Sequence, residues 1–214
     1  MTKKSNLVVT LSGLAALGMV NIPEPANLDP TIWNKKQEFK NDPEFKFLAN
    51  HIRQINSKIE VGEENRLSRI ILQESKFLRI PETAKIDGIK IDRVLFITAI
   101  IETESSFRGS AISYANARGY MQIMPATMNW IKDREALSVD ERDIHETEVN
   151  LMLGVRYLSY LFDEFKQPSL VALAYNAGPG NLRRGVYDLR YWNKVVKFYR
   201  ILNKKRELLK TGQN

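Results

Sequence analysis

The stretch VLFITAIIETESSF, residues 94–107, limits the fold more than any other part of this chain. From Val94 to Ile101 there is no charge, and Thr98 carries the lone hydroxyl. Asp92 stands just ahead, where a helix N-cap belongs. A helix with no polar face must be covered on all sides, so the other elements have to be arranged around it. It ends in two glutamates, Glu102 and Glu104. Residues two apart on a helix point about 200° from one another, so at most one of the two faces a given pocket. Glu104 leads into Ser105, Ser106, Phe107 and Gly109 and stands beside a turn. Glu102, one turn after Thr98, is expected to face solvent or to pair with a base.

Helical periodicity recurs on both sides of this segment. Phe45, Leu48, Ile52, Ile55 and Ile59 form one buried stripe, and Leu67, Ile70, Ile71, Phe77 and Leu78 a second that Pro81 stops. Gly119 to Pro125 reads as a short extended segment. Its period of two would put Tyr120, Gln122 and Met124 on one face and Met121 and Ile123 on the other. Thr147 is expected to cap a helix running to Phe165, in which Gly154 admits a close neighbour. Ser169 is expected to cap the next, SLVALAYNAG, which Gly178 and Pro179 end with Tyr175 and Asn176 in its last turn.

Composition narrows the chemistry. The 214 residues, 43% hydrophobic and 27% charged, suit one globular domain with extensions. There is no cysteine, which removes disulfides, thiolate metal sites and a cysteine nucleophile together. His51 and His145 are the only histidines, and Val149 occupies the place where a zincin helix starting at His145-Glu146 would need its second one. No GxSxG elbow occurs. Neither metal nor cofactor is expected. A formal charge of +7 suits nucleic acid, an anionic membrane or an acidic polymer. No interleaved aromatic and basic motif favours nucleic acid. The basic residues from Lys194 to Lys210 are spread at helical spacing and read as a solvated face.

At the amino terminus, Lys3 and Lys4 precede an apolar run from Leu7 to Val20, too short for a comfortable membrane span. With Ala16 and Gly18 ahead of Pro23, it reads as a secretory signal; an uncleaved anchor or a packed amphipathic helix are the competing readings. Pro23, Pro25 and Pro30 mark a linker.

The segments ESSF (104–107), GYMQIMP (119–125) and ALAYNAGPGNLRR (172–184) occur in order, with ETEVNLMLGVRYL between the last two. Together they resemble the catalytic domain of the soluble lytic transglycosylases, relatives of goose-type lysozyme, from about Asp87 to about Leu202. The resemblance implies a mainly α, lysozyme-like (α+β) fold. A very small β element would lie beside the catalytic groove, behind an N-terminal helical extension. It implies cleavage of the β-1,4 bond between N-acetylmuramic acid and N-acetylglucosamine in peptidoglycan. Carried over residue by residue, Glu104 is the catalytic acid, and Ser113, Gln122, Met124, Tyr175 and Asn176 line the groove. Tyr191 fits a tyrosine near the family's carboxyl end, while Tyr187 and Asp188 stand near an expected glutamate. Tyr120 replaces a leucine.

Most glycosidases use two carboxyl groups, and no second one is singled out here. The resemblance implies a single-glutamate, substrate-assisted route to 1,6-anhydromuramyl ends, a lyase reaction. A hydrolytic muramidase and a non-catalytic peptidoglycan-binding module are the alternatives. The expected organisation is a signal or anchor at 1–22, a linker and helical extension at 23–86, the catalytic domain at 87–205 and a basic tail at 206–214. The expected setting is the periplasm or cell envelope, as a monomer, with glycan strands and an envelope-spanning machine as partners and no nucleic acid.

Overall fold

The computed structural model describes Phe39 and residues 41–212. The leader expected at 1–22 and the linker marked by Pro23, Pro25 and Pro30 lie outside these residues. Eight α-helices are found among them: α1 (Pro43–Ile55), α2 (Glu63–Glu74), α3 (Arg93–Ser105), α4 (Pro125–Glu135), α5 (Thr147–Phe165), α6 (Pro168–Ala177), α7 (Pro179–Arg183) and α8 (Leu189–Lys210). Short 3₁₀ turns occupy Ser75–Phe77 and Glu141–His145. The architecture is mainly helical, as expected.

α3 is the central rod. Leu95, Phe96, Ile97, Ala99, Ile100 and Ile101 are all fully buried, because the helix has no face that water could solvate. α8 packs along it, α2 and the first 3₁₀ turn lie against it, and Phe96 meets Phe162 of α5 at 5.5 Å between ring centroids. Asp92 caps α3 as read from sequence, its side chain accepting from the Leu95 amide at 3.0 Å. α1 and α2 precede the region of family resemblance yet belong to the same hydrophobic core: Leu48, Ile52, Leu67, Ile70 and Ile71 have no exposed surface. Ile59 lies beyond the end of α1, so the first stripe is shorter than its spacing suggested.

The single regular sheet among the described residues pairs β1 (Lys85–Ile86) with β2 (Ile89–Lys90), antiparallel, just before α3 begins. Glu104 is at the opposite end of α3, about 20 Å along a helix of this length. Beside it the β element consists of two single bridges, Ile112 with Arg118 and Arg118 with Ile123.

Three local expectations are corrected, the first being that Glu146, not Thr147, precedes α5. Gln167, not Ser169, precedes α6, because Pro168 takes the first helical position, where its missing N–H costs nothing. Residues 119–122 form a tight turn between the paired Arg118 and Ile123, not an extended segment. Gln122 adopts a left-handed φ of 49°, which breaks the period of two. Tyr120 is buried and donates to Glu63 at 3.0 Å.

Candidate active site

Glu104 projects from the last turn of α3, partly buried. Tyr191, in the first turn of α8, donates its hydroxyl to Oε1 of Glu104 at 2.5 Å. Lys194, one turn further along α8, donates to the Thr103 carbonyl at 3.0 Å and places its charge at the carboxyl end of α3. Loss of water pushes the Glu104 carboxyl up to about 7, against the Tyr191 hydrogen bond and the Lys194 charge, which both pull it down. Among the described residues, no carboxylate is one of the groups that act on it. Burial and the nearby Glu104 charge hold the Tyr191 and Tyr175 hydroxyls well above the usual phenol range, so both remain donors.

Tyr175, in the last turn of α6, donates to the Met121 carbonyl at 2.8 Å and so ties this helix end to the turn that carries Gln122. Gln122 spends its amide within the loop, donating to the Ala111 carbonyl at 3.1 Å and the Gly119 carbonyl at 2.9 Å. Ser113 closes the same loop, its hydroxyl accepting from the Ala117 amide at 3.0 Å. Met124 and Asn176 are open to solvent. The structure thus joins Tyr175, Gln122 and Ser113 through one loop and sets Tyr175 within the field of Glu104.

Three residues that hold this arrangement escaped the sequence reading as site residues. Tyr191 fitted a family position but was not placed beside Glu104. Asn150 is wholly buried and holds the 118–121 turn: its Oδ1 accepts from the Met121 amide at 2.8 Å, and its Nδ2 donates to the carbonyls of Arg118 and Ile144 at 2.9 and 2.8 Å. Nothing local in ETEVN marks such a role. Gly154 is the close approach that was expected, and the neighbour is Met121, whose sulfur would overlap a Cβ at that position.

Glu102 does not face solvent. It is 5% exposed, and His51 of α1, 3% exposed, donates Nε2–H to its Oε2 at 2.8 Å. The base that the sequence left open as its partner is therefore a histidine from another helix. The two glutamates point apart, as the helix period requires, and only Glu104 meets the Tyr191 side.

Residues 89–190 match the family model described as the Transglycosylase SLT domain. Among curated relatives, the membrane-bound lytic murein transglycosylase C of Haemophilus ducreyi is 34% identical over 104 residues, which covers 43% of this chain and 28% of that protein. The soluble lytic murein transglycosylase of Salmonella typhimurium is 35% identical over 92 residues, 41% of this chain and 14% of the relative. The chain thus spans under a third of either protein. Among solved structures, a lytic transglycosylase Slt from Pseudomonas aeruginosa aligns with a TM-score of 0.47 at 24% identity, over 71% of this chain and 25% of that one.

Proposed function

From a chain that carries a domain of the transglycosylase SLT family over residues 89–190, we propose a peptidoglycan lytic transglycosylase with Glu104 as its acid and base. The observation that carries this reading is the Glu104 carboxyl at the end of a buried helix, turned away from Glu102, raised to about 7 by loss of water and held by Tyr191. A glutamate at its ordinary value of ~4.3 would be protonated in roughly one molecule in 500 at neutral pH, whereas one near 7 is protonated in about half.

Protonated Glu104 donates to the bridging glycosidic oxygen as the bond from the muramyl C1 to that oxygen breaks. The carbonyl oxygen of the substrate's own acetamido group closes on C1 and takes the place of a second protein carboxylate. The Glu104 carboxylate then accepts the proton of the muramyl 6-hydroxyl, whose oxygen attacks C1 and expels the acetamido oxygen. The proton given in the first step is recovered in the second, and no water is consumed. Tyr191 steadies the carboxylate between the two steps, and the Lys194 charge favours the same ionised form. In this reading Ser113, Gln122 and the exposed Met124 and Asn176 line the groove that receives the glycan, and Tyr175 faces the reacting sugar.

The protein would act as an exported monomer in the periplasm or cell envelope, on glycan strands, alongside an envelope-spanning machine. The deciding experiment is mass spectrometry of muropeptides released from sacculi. Ends lighter by one water than reducing ends are the expected product. Reducing ends would make it a muramidase, and sacculi bound without any soluble release would make it a binding module.

A further inference from the structure

We propose that His51 and Asn56, which lie ahead of the family-matched region, are positioning residues that hold the end of α3 so that Glu104 points at Tyr191. The inference rests on Glu104 being the reacting group. It adds that α1 fixes the direction of that group.

Two attachments from α1 bracket Glu104. Ahead of it, His51 holds Glu102 through the buried 2.8 Å hydrogen bond. Behind it, Asn56, the C-cap of α1, donates Nδ2–H to the Phe107 carbonyl at 2.8 Å. Neither holder is loose. The Nδ1 atom of His51 faces the Lys205 ammonium of α8 at 3.5 Å, which assigns the ring proton to Nε2, the nitrogen that meets Glu102. The His51 ring also meets Phe107 edge to face, with centroids 5.9 Å apart. Asn56 is fixed through its own amide, which donates to the Ile52 carbonyl at 2.8 Å.

The held segment needs holding. Ser106 and Phe107 have φ of 50° and 59°, consecutive left-handed residues without glycine. Each is a strained conformation for a residue with a side chain, and the surroundings must offset it. Because Glu102 and Glu104 leave the helix about 200° apart, fixing one fixes the rotation that aims the other. A helix end free to turn by a few tens of degrees would carry the Glu104 carboxyl off the Tyr191 hydroxyl.

The test separates aiming from plain support. Replacing both members of the buried pair by apolar residues, His51→Leu with Glu102→Met, leaves no buried carboxylate without its partner, while Lys205 keeps its hydrogen bond to Gln54, and is expected to preserve folding. Its expected signature is kcat on purified glycan strands lower by about tenfold with KM within about twofold, because misdirection of a bound group acts on the chemical step. Asn56→Ala should act in the same sense, by about threefold. Glu102→Gln, which keeps an acceptor for His51, should restore most of the rate.

A second readout needs no turnover. In ¹³C-carboxyl NMR, the resonance missing from Glu104→Gln identifies the acid, and its titration midpoint should fall in the double variant, because burial, the larger influence, is relieved by more than the lost Tyr191 hydrogen bond adds. Tyr191 and Lys194 act on that midpoint in the native protein, and Tyr175 of α6 is the further titratable group that feels the Glu104 charge. If the double variant or Asn56→Ala loses melting temperature while kcat and midpoint stay at native values, the contacts are merely structural and the inference is overturned. Should the double variant not fold, Asn56→Ala decides alone. If the native protein releases no fragments, the catalytic reading fails, and the midpoint still judges the clamp.

Discussion

Tyr191 and Glu104, 87 positions apart in the chain, are joined by a hydrogen bond of 2.5 Å between the first turn of α8 and the last turn of α3. The bond stabilises the ionised carboxylate, while loss of water opposes ionisation, and the balance leaves the group at about 7. Tyr191→Phe removes a contribution that lowers the value. On the proposed mechanism cleavage needs the protonated form and should then persist to a pH higher by about one unit, since a hydrogen bond to a charged group is worth ~1.5–3 kcal/mol. Sacculus clearance measured against pH for both proteins checks the direction, and a limb that moves to lower pH contradicts it.

Glu104→Gln should lower the release of soluble muropeptides by at least about a hundredfold, the usual span for a general acid, with the helical circular dichroism spectrum unchanged.

Stability should fall as pH rises between about 4.5 and 7. Glu74 is 6% exposed, and burial pushes its carboxyl up to about 7 despite the Arg156 charge, so it shares this property with Glu104. Between the ordinary and raised values the native state binds more protons than the unfolded chain, and stability therefore declines with pH. Each carboxyl contributes up to ~1.4 kcal/mol per pH unit over that window. Urea denaturation of Glu74→Gln at several pH values should show a flatter profile than the native protein.

Gly154→Ala should destabilise by about 1–3 kcal/mol, because the new methyl group overlaps the wholly buried Met121 side chain. Met121→Ala in the same chain should relieve part of that clash. A thermal-melt double-mutant cycle measures the coupling between the two sites.

Asn150→Ala leaves one amide and two carbonyls without their side-chain partner and should cost about 3 kcal/mol. The turn carrying Gln122 should open, which hydrogen exchange at the Met121 amide would report.

The sequence made the rod α3 readable because an apolar run leaves a helix no alternative to burial, and Asp92 marked its start by local chemistry. The stop at Gly178 was legible for the same reason, as its φ of 83° suits glycine. What stayed hidden depends on partners distant in the chain. The place of Glu102 is decided by His51, 51 residues earlier, and the turn at Gln122 by Asn150, whose amide replaces the hydrogen bonds an extended segment would have made. A period of two in GYMQIMP was a fair local reading until a left-handed Gln122 interrupted it. Tyr191 fitted a family position, but its meeting with Glu104, 87 residues away, could come only from the way α8 folds back along α3.

Arg206 of α8 bonds both Glu44 of α1, at 3.2 Å, and Asp92, the residue that starts α3, at 2.7 Å. Anyone transplanting the reactive fragment onto a foreign scaffold must therefore carry the flanking helices with it. Cut at 89–190, the donor piece would arrive without the fastener at one end of its rod and without the tyrosine at the other.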